Sequence, residues 1–284
     1  MSLGRILVPL DGSERDQISL LTAVRAAKPF KAHVAVVFAH PDPAELWPVV
    51  GVPLSAEAMS AVIDGNLQIF HEQSAHIRST MENIAAMEGA RIVDGPCRGN
   101  TATLSYREMI GYPPETIGNA ARLADLTVCG PAEGSPRLFE TAIDIVLQNR
   151  RPVLMASHPP PAFRKVVIGC NGSIAAMNAI SAAMPILEQA DVVQLVCIEH
   201  ALGPSVDTDP LIAYLRSHGI SPSELHLGKW GTLSNDLLLK LAQEHNADLL
   251  VVGAFGHSRI GETIFGGVTN EILRRAPLPV LLAH

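Results

Sequence analysis

The chain has 284 residues, of which 48% are hydrophobic and 4% aromatic, and its formal net charge is −7 at pH 7. A single small domain would be shorter, so we expect two domains of about 140 residues with aliphatic cores. The acidic balance argues against a nucleic-acid partner, because nucleic-acid binding needs a basic face. No apolar run approaches the roughly 20 residues that cross a bilayer, so we expect no membrane partner.

The four cysteines form no pattern that predicts a disulfide framework or a zinc site; they are Cys97, Cys129, Cys170 and Cys197. They include no C-x-x-C pair, and no histidine stands at zinc-ligand spacing from them. No stretch like a signal peptide fits before the first acidic residue, Asp11. We therefore expect reduced thiols, no metal site and a cytoplasmic location.

Short apolar blocks recur along the chain in a fixed order. Arg5–Ser13 returns 160 positions later as Lys165–Ser173, and Ala124–Gly130 returns as Ala247–Gly253. The other repeated blocks are the apolar runs that end at His40 and His200, and the closing runs Pro152–Ala156 and Pro279–Ala283. Four blocks in one order indicate an internal duplication.

Each block has the consecutive apolar residues that are typical of a parallel strand buried on both faces. Helix-period stretches separate the blocks, namely Asp16–Ala27, Ile174–Gln189 and Leu233–His245. This alternation predicts an α/β fold with a doubly wound parallel sheet in each half. The polyproline spacer His158–Pro161 divides the chain into predicted domains at 1–157 and 158–284.

The first half carries a long insert at about 41–88. The insert begins with a proline-rich loop and continues as a predicted helix, which starts at a Ser55 cap and ends near Glu88. The apolar residues near one face of this helix are Met59, Val62, Ile63, Phe70, Ile77 and Ile84.

A candidate phosphate site in the second half follows the predicted strand Asp248–Val252, within the repeated block Ala247–Gly253. Gly253 and Gly256 let the backbone turn tightly and approach an anion. The residues that open the last helix would aim N–H groups and a hydroxyl at phosphates: Gly266, Gly267, Val268 and Thr269. The alternative is a loop whose glycines serve only its turns.

The matching loop of the first half has a different character. Glu133 stands where the second half has Gly256, and Phe139-Glu140 replace the glycine pair. Two carboxylates would repel a triphosphate, so we expect no nucleotide phosphate to bind here in the same manner.

The first strand of each half ends in a similar tripeptide, Asp11–Ser13 or Asn171–Ser173. The Asp or Asn side chain can accept a hydrogen bond from an adenine amino group. Equally, the tripeptide is a good strand-to-helix turn with a serine N-cap, and one residue can do both.

Enzyme signatures are missing from the sequence. It contains neither a P-loop nor G-x-G-x-x-G, and Ile260 stands where a nucleophile elbow needs glycine. His71 and His76 are five positions apart, which turns their imidazoles away from each other on a helix. We therefore expect no catalytic residues.

At these residues the chain resembles the universal stress protein family in a tandem two-domain form. Nucleotide-binding members carry G-x-x-G, nine residues, then G-[ST]; here Gly253, Gly256 and Gly266 match, and Gly267 takes the Ser/Thr position. The blocks around Asp11 and the closing Pro279–Ala283 also look like the family.

The resemblance implies two tandem parallel five-stranded sheets of the adenine nucleotide alpha hydrolase-like type, with strand order 3-2-1-4-5. By analogy with family dimers, the strands Val153–Ala156 and Val280–Ala283 would pair antiparallel and make one chain a pseudo-dimer. The insert helix offers a surface for a further homodimer.

The resemblance also implies that ATP or a related adenine nucleotide, with Mg²⁺, binds the second half, and that the protein has a regulatory role in stress. Adenine would lie near Asn171 and Val252. Ribose and phosphates would contact Gly253, Gly256, Gly266, Gly267, Val268 and Thr269. Two residues depart from the family pattern: Asn171 in place of Asp removes a charge but keeps an acceptor, and Gly267 in place of Ser/Thr removes a hydroxyl but keeps the N–H. The alternative function is a scaffold without nucleotide that binds a protein partner or a small apolar ligand, for example at Trp47–Leu54.

Overall fold

The computed structural model describes residues 2–45, 55–97, 99–131, 135–200, 207–230, 234–254 and 276–284. Within these ranges the first half contains six strands: β1 Arg5–Leu10, β2 His33–His40, β3 Arg91–Ile92, β4 Thr103–Ile110, β5 Leu126–Cys129 and β6 Val153–Met155. Its helices are α1 Asp16–Ala27, α2 Ala56–Glu88, α3 Pro113–Ala121 and α4 Pro136–Leu147.

The second half repeats the alternation of strand and helix. Its described strands are β7 Lys165–Cys170, β8 Val192–His200, β9 Ser223–Trp230, β10 Leu249–Gly253 and β11 Val280–Ala283. Its described helices are α5 Ile174–Leu187, α6 Asp209–Ser217 and α7 Ser234–Glu244.

All of these strands belong to one sheet in the order β3-β4-β2-β1-β5-β6-β11-β10-β7-β8-β9. Each half therefore has the predicted order 3-2-1-4-5, and its pairings are parallel. The first half departs from five strands because the two-residue β3 adds an edge strand to β4. The two halves join where β6 pairs antiparallel with β11, as predicted, so that Leu154 lies opposite Leu281.

The apolar core covers both faces of the sheet. Central strand residues such as Leu7, Ile168 and Leu250 are completely buried. Helices pack on each face and exclude water from the Val, Ile and Leu side chains, and this burial is the main favourable contribution to folding. No helix within the described ranges is long and apolar enough to cross a membrane.

The insert forms the predicted helix α2, whose Ser55 Oγ accepts a hydrogen bond from the Ala58 N–H at 3.2 Å. Its predicted apolar face is only partly correct: Ile77 and Ile84 are buried, but Met59, Val62, Ile63 and Phe70 are half-exposed. A helix of 33 residues is about 50 Å long, which exceeds the span of the neighbouring strands. Only its C-terminal part therefore lies over the core.

Candidate functional site

A cavity of about 510 Å³ lies beside the carboxyl end of β7, between α5 and α6. Its wall contains Cys170 at the end of β7 and Gly172 in the β7–α5 turn. Helix α6 contributes Leu211 and Tyr214. In parallel α/β sheets, ligands bind beyond the carboxyl ends of the strands. The cavity therefore lies at the edge of the sheet where ligands bind, but the predicted residues Asn171, Val252 and Gly253 are not part of its wall.

The β7–α5 turn has the structure that its sequence predicts. Asn171 Oδ1 accepts a hydrogen bond from the Ser173 N–H at 3.1 Å, and Ser173 Oγ accepts one from the Ala176 N–H at 3.2 Å. Gly172 has a φ of 74°, a conformation that glycine adopts without steric cost. Ser173 is thus the N-cap of α5, and the adenine contact of Asn171 stays a prediction.

The matching β1–α1 turn is built differently, and the predicted N-cap at Ser13 is wrong. Asp11 Oδ1 again accepts from the Ser13 N–H at 3.1 Å. Here, however, α1 begins only at Asp16, and Arg15 is its N-cap residue. The Asp16 carboxylate accepts the N–H groups of Asp11 at 3.3 Å and Gly12 at 2.8 Å. In the second half Ala176 stands at the matching position and has no such acceptor.

Asp16 is a buried carboxyl group with a strongly raised pKa. Its pKa is raised to about 7, mainly by burial and also by the nearby Asp11 charge, while the two backbone N–H groups oppose this change. A carboxyl group with this pKa is partly neutral near pH 7.

Helix α2 covers the first-half turn. A Cβ atom on Gly12 would lie 2.6 Å from the Gln73 Cβ, and Gly12 has a φ of 82°. The insert helix therefore packs on the backbone at the position where Gly172 lines a cavity in the second half. Sequence reasoning missed this contact, because nothing in a local pattern pairs Gln73 with a turn so far away in the chain.

Gly253 has a packing role that its place in the glycine motif does not reveal. A Cβ atom there would lie 2.4 Å from the Ala176 nitrogen and 2.5 Å from the Ala175 carbonyl carbon. The first turn of α5 therefore contacts the end of β10 through backbone atoms. Val252, directly before it, is buried.

Several predicted site residues lie outside the described ranges. They are Gly256, Gly266, Gly267, Val268 and Thr269, together with Glu133 in the first half and the Trp47–Leu54 segment. The structure therefore brings together the β7–α5 turn, Val252 and Gly253, and the remaining assignments stay predictions.

Both halves carry a polar cluster on a matching pair of strands, β2 and β4 in the first half and β8 and β9 in the second. In the first half, His40 Nε2 lies 3.0 Å from Glu108 Oε1, and Ser74 Oγ lies 2.8 Å from the Tyr106 hydroxyl oxygen and 3.1 Å from Glu108 Oε2. His40 also stacks on Phe70 with ring centroids 4.2 Å apart. These contacts join α2 to the sheet, in line with a structural role for His40.

In the second half, the cluster contains Cys197 on β8 with Glu224 and His226 on β9. Thr208 donates a hydrogen bond to Glu224 Oε1, which lies 2.7 Å from His226 Nε2. The Thr208 hydrogen bond lowers the pKa of Glu224, and the neighbouring His226 adds to this effect. Sequence reasoning missed this group because its members lie on two strands, although the alternation of Glu224 and His226 places both on one face.

The comparisons with known proteins agree with this geometry. Residues 162–284 match the sequence model of the universal stress protein family. The second half of the chain is therefore similar to universal stress proteins. A universal stress protein of Mycobacterium tuberculosis H37Rv is 29% identical over 143 residues, which are 43% of this chain and 97% of that protein.

The whole chain has the same fold as solved structures of similar length. A universal stress protein from Archaeoglobus fulgidus DSM 4304 aligns over 99% of this chain and 96% of its own, with a TM-score of 0.68 and 16% identity. A protein from Pseudomonas aeruginosa UCBPP-PA14 aligns over 99% and 93%, with a TM-score of 0.57 and 15% identity. At these identities the likeness shows the fold alone, and it includes the first half of this chain.

Proposed function

We propose that this chain is a tandem universal stress protein that binds ATP or a related adenine nucleotide in its second half and acts in the cytoplasm as a stress-response regulator. Adenine would lie near Asn171 and Val252. Ribose and phosphates, with Mg²⁺, would contact Gly253 and the sequence-assigned residues Gly256, Gly266, Gly267, Val268 and Thr269.

The observation that carries this proposal is the difference between the two strand–helix turns. In the second half, Gly172 lines the cavity beside β7, and the capped N-terminus of α5 ends at the same edge of the sheet. The partial positive charge of a helix N-terminus favours an anionic ligand there. In the first half, Gln73 lies over Gly12 and Asp16 adds a carboxyl group. These features support one nucleotide site per chain.

The first half would then have a structural role. Its last strand, β6, continues the sheet into β11 through antiparallel pairing. We propose that residues 1–157 form a degenerate partner domain and that the chain is an intrachain pseudo-dimer. No catalytic residue is assigned, and any ATP hydrolysis would be weak.

The first experiment is to denature the freshly purified full-length protein and identify the released small molecules by mass spectrometry. Calorimetric titration with ATP, ADP, AMP and cyclic AMP then follows. We expect about one adenine nucleotide per chain. Gly256→Glu, which copies the first half, should abolish binding, while the reciprocal Glu133→Gly should leave it unchanged.

The other outcomes are informative. Two nucleotides per chain, or tighter binding in Glu133→Gly, would show that the first half also binds nucleotide. No released nucleotide and no heat at millimolar ATP would overturn the proposal and favour the scaffold with a protein or apolar ligand.

Asn171→Asp tests the adenine contact separately. Asp11 accepts the same Ser13 hydrogen bond that Asn171 accepts from Ser173, so the variant should keep the turn intact. A carboxylate accepts a stronger hydrogen bond than an amide, so affinity should rise about tenfold. Unchanged affinity would place adenine away from Asn171.

A further inference from the structure

The β8–β9 edge of the second half brings three different metal-ligand atoms to one point. Cys197 Sγ, a Glu224 oxygen and a His226 nitrogen all lie within 4.8 Å of one another. The pairing of β8 with β9 places them there, since Cys197 lies directly opposite His226 and Leu195 opposite Glu224. The register of the sheet thus positions the group.

We propose that Cys197, Glu224 and His226 form a zinc-type metal site, with a water molecule as the fourth ligand. A thiolate, an imidazole and a carboxylate are the ligands that Zn²⁺ takes in proteins, and three protein ligands leave one position open. The thiolate disfavours Mg²⁺ and Ca²⁺, which prefer oxygen ligands. This site is therefore separate from any Mg²⁺ that accompanies a nucleotide.

The distances need only small adjustments to fit a tetrahedral ion. Glu224 Oε1 now lies 2.7 Å from His226 Nε2 and 3.9 Å from Cys197 Sγ. Around zinc these separations would be about 3.4 Å and about 3.6 Å. The side chains of Glu224 and His226 are 27% and 53% exposed, so both can move and an ion can enter from solvent.

Thr208 supplies the support that metal ligands require. Its hydroxyl donates to Glu224 Oε1 from the residue directly before α6 and orients the carboxylate. Such partners are needed for full metal affinity. Cys197 is completely buried, and this fixes the thiol position at the base of the site. On binding, the S–H bond breaks, a sulfur–metal bond forms and the proton passes to the buffer.

The corresponding strands of the first half lack this donor set. Val193 pairs with Val166 as Val34 pairs with Ile6, so Phe38 corresponds to Cys197. The cross-strand partner of Phe38 is Glu108, and that of Val36 is Tyr106. Phe38 therefore replaces Cys197, Tyr106 replaces Glu224 and Glu108 replaces His226. We expect no zinc to bind there.

The test uses tag-free, full-length protein without nucleotide, titrated with Zn²⁺ by calorimetry and with Co²⁺ by absorption spectroscopy. We expect one ion per chain and a sulfur-to-cobalt charge-transfer band in the near ultraviolet. His226→Gln and Cys197→Ala should each weaken binding by at least about tenfold. Cys197→Ala should also remove the charge-transfer band.

His218→Gln is the matched control. His218 Nδ1 pairs with Glu188 at 3.1 Å, but the two belong to no three-ligand group within the described residues. The zinc affinity of the His218→Gln variant should equal that of the wild type. If Cys197→Ala does not fold, the exposed His226→Gln still decides the matter. No binding, or equal binding in His226→Gln and His218→Gln, would overturn the metal site without affecting the nucleotide proposal.

Discussion

The two strand–helix turns show how a duplicated unit changes its chemistry with few substitutions. Both begin with an Asp or Asn whose side chain accepts the N–H of a serine two residues later, at 3.1 Å in each case. They diverge at Asp16 and Ala176. In the first half a buried carboxylate accepts two backbone N–H groups of the turn.

Beyond each turn, the space is used differently. Gln73 of the insert helix packs on Gly12, whereas Gly172 lines a cavity. Equal sheet topology therefore does not imply equally accessible turns, because the insert helix covers the first-half turn.

Asp16 should make the protein less stable as the pH rises. Its pKa is about 7 in the folded chain against 3.8 for the reference group, so the folded state holds this proton while the unfolded chain releases it. Between about pH 4 and 7 the free energy of unfolding should fall by up to about 4 kcal/mol from this group. Asp16→Asn should remove that part of the pH dependence in urea unfolding measured across this range.

Asp11→Asn is the control, because it copies Asn171 and removes the second cause of the shift. It should reduce the pH dependence without abolishing it, since burial is the larger cause. Parallel stability curves for wild type and Asp16→Asn would show that Asp16 titrates normally.

Gly253→Ala and Gly130→Ala compare the ends of two matching strands. The added methyl group at Gly253 would lie 2.4 Å from backbone nitrogen, which cannot move alone. We expect Gly253→Ala to lower the free energy of unfolding by about 3 kcal/mol. At Gly130 the nearest atom is Ser19 Oγ at 2.9 Å, a side-chain end that can rotate, so the loss should be about 1 kcal/mol or less.

Thermal unfolding of the two glycine variants measures this difference. Equal decreases in melting temperature would mean that α5 can shift away from β10. The Gly253 glycine would then be explained by ligand binding rather than by packing.

The sequence was informative wherever one local pattern decides the structure. Consecutive apolar residues predicted the strands, and Ser55 predicted the start of α2. It was uninformative where distant segments meet. The β3 residues Arg91 and Ile92 are both exposed and show no burial pattern. The contact of Gln73 with Gly12 and the meeting of Cys197 with His226 depend on packing and register, which spacing along one segment does not reveal.

Glu88→Gln tests the smallest difference between the halves. It concerns the ion pairs that link α1 to α2 in the first half and α5 to α6 in the second. Glu88 accepts from Arg25 Nε and Lys28 Nζ, each at 2.9 Å, whereas Glu188 has His218 at 3.1 Å. Burial alone would raise the pKa of Glu88, but the hydrogen bonds from Lys28 and Arg25 outweigh it and lower the pKa. This stabilisation is therefore present above the ordinary pKa of a glutamate and is lost as the pH falls through the lowered folded value.

Lys28 is half-exposed, so Glu88→Gln should lower the free energy of unfolding by only about 1 kcal/mol. Glu188→Gln should lower it by roughly 0.3 kcal/mol. Urea unfolding at neutral pH in low and high salt measures both. The Glu88 effect should shrink in high salt, because screening weakens partly exposed pairs. Arg25 keeps its hydrogen bonds to the Pro159 and Pro160 carbonyl oxygens in the variant, so α1 should stay attached to the spacer between the halves. A loss at Glu188 equal to that at Glu88 would show that the second cation adds nothing to the pairing of α1 with α2.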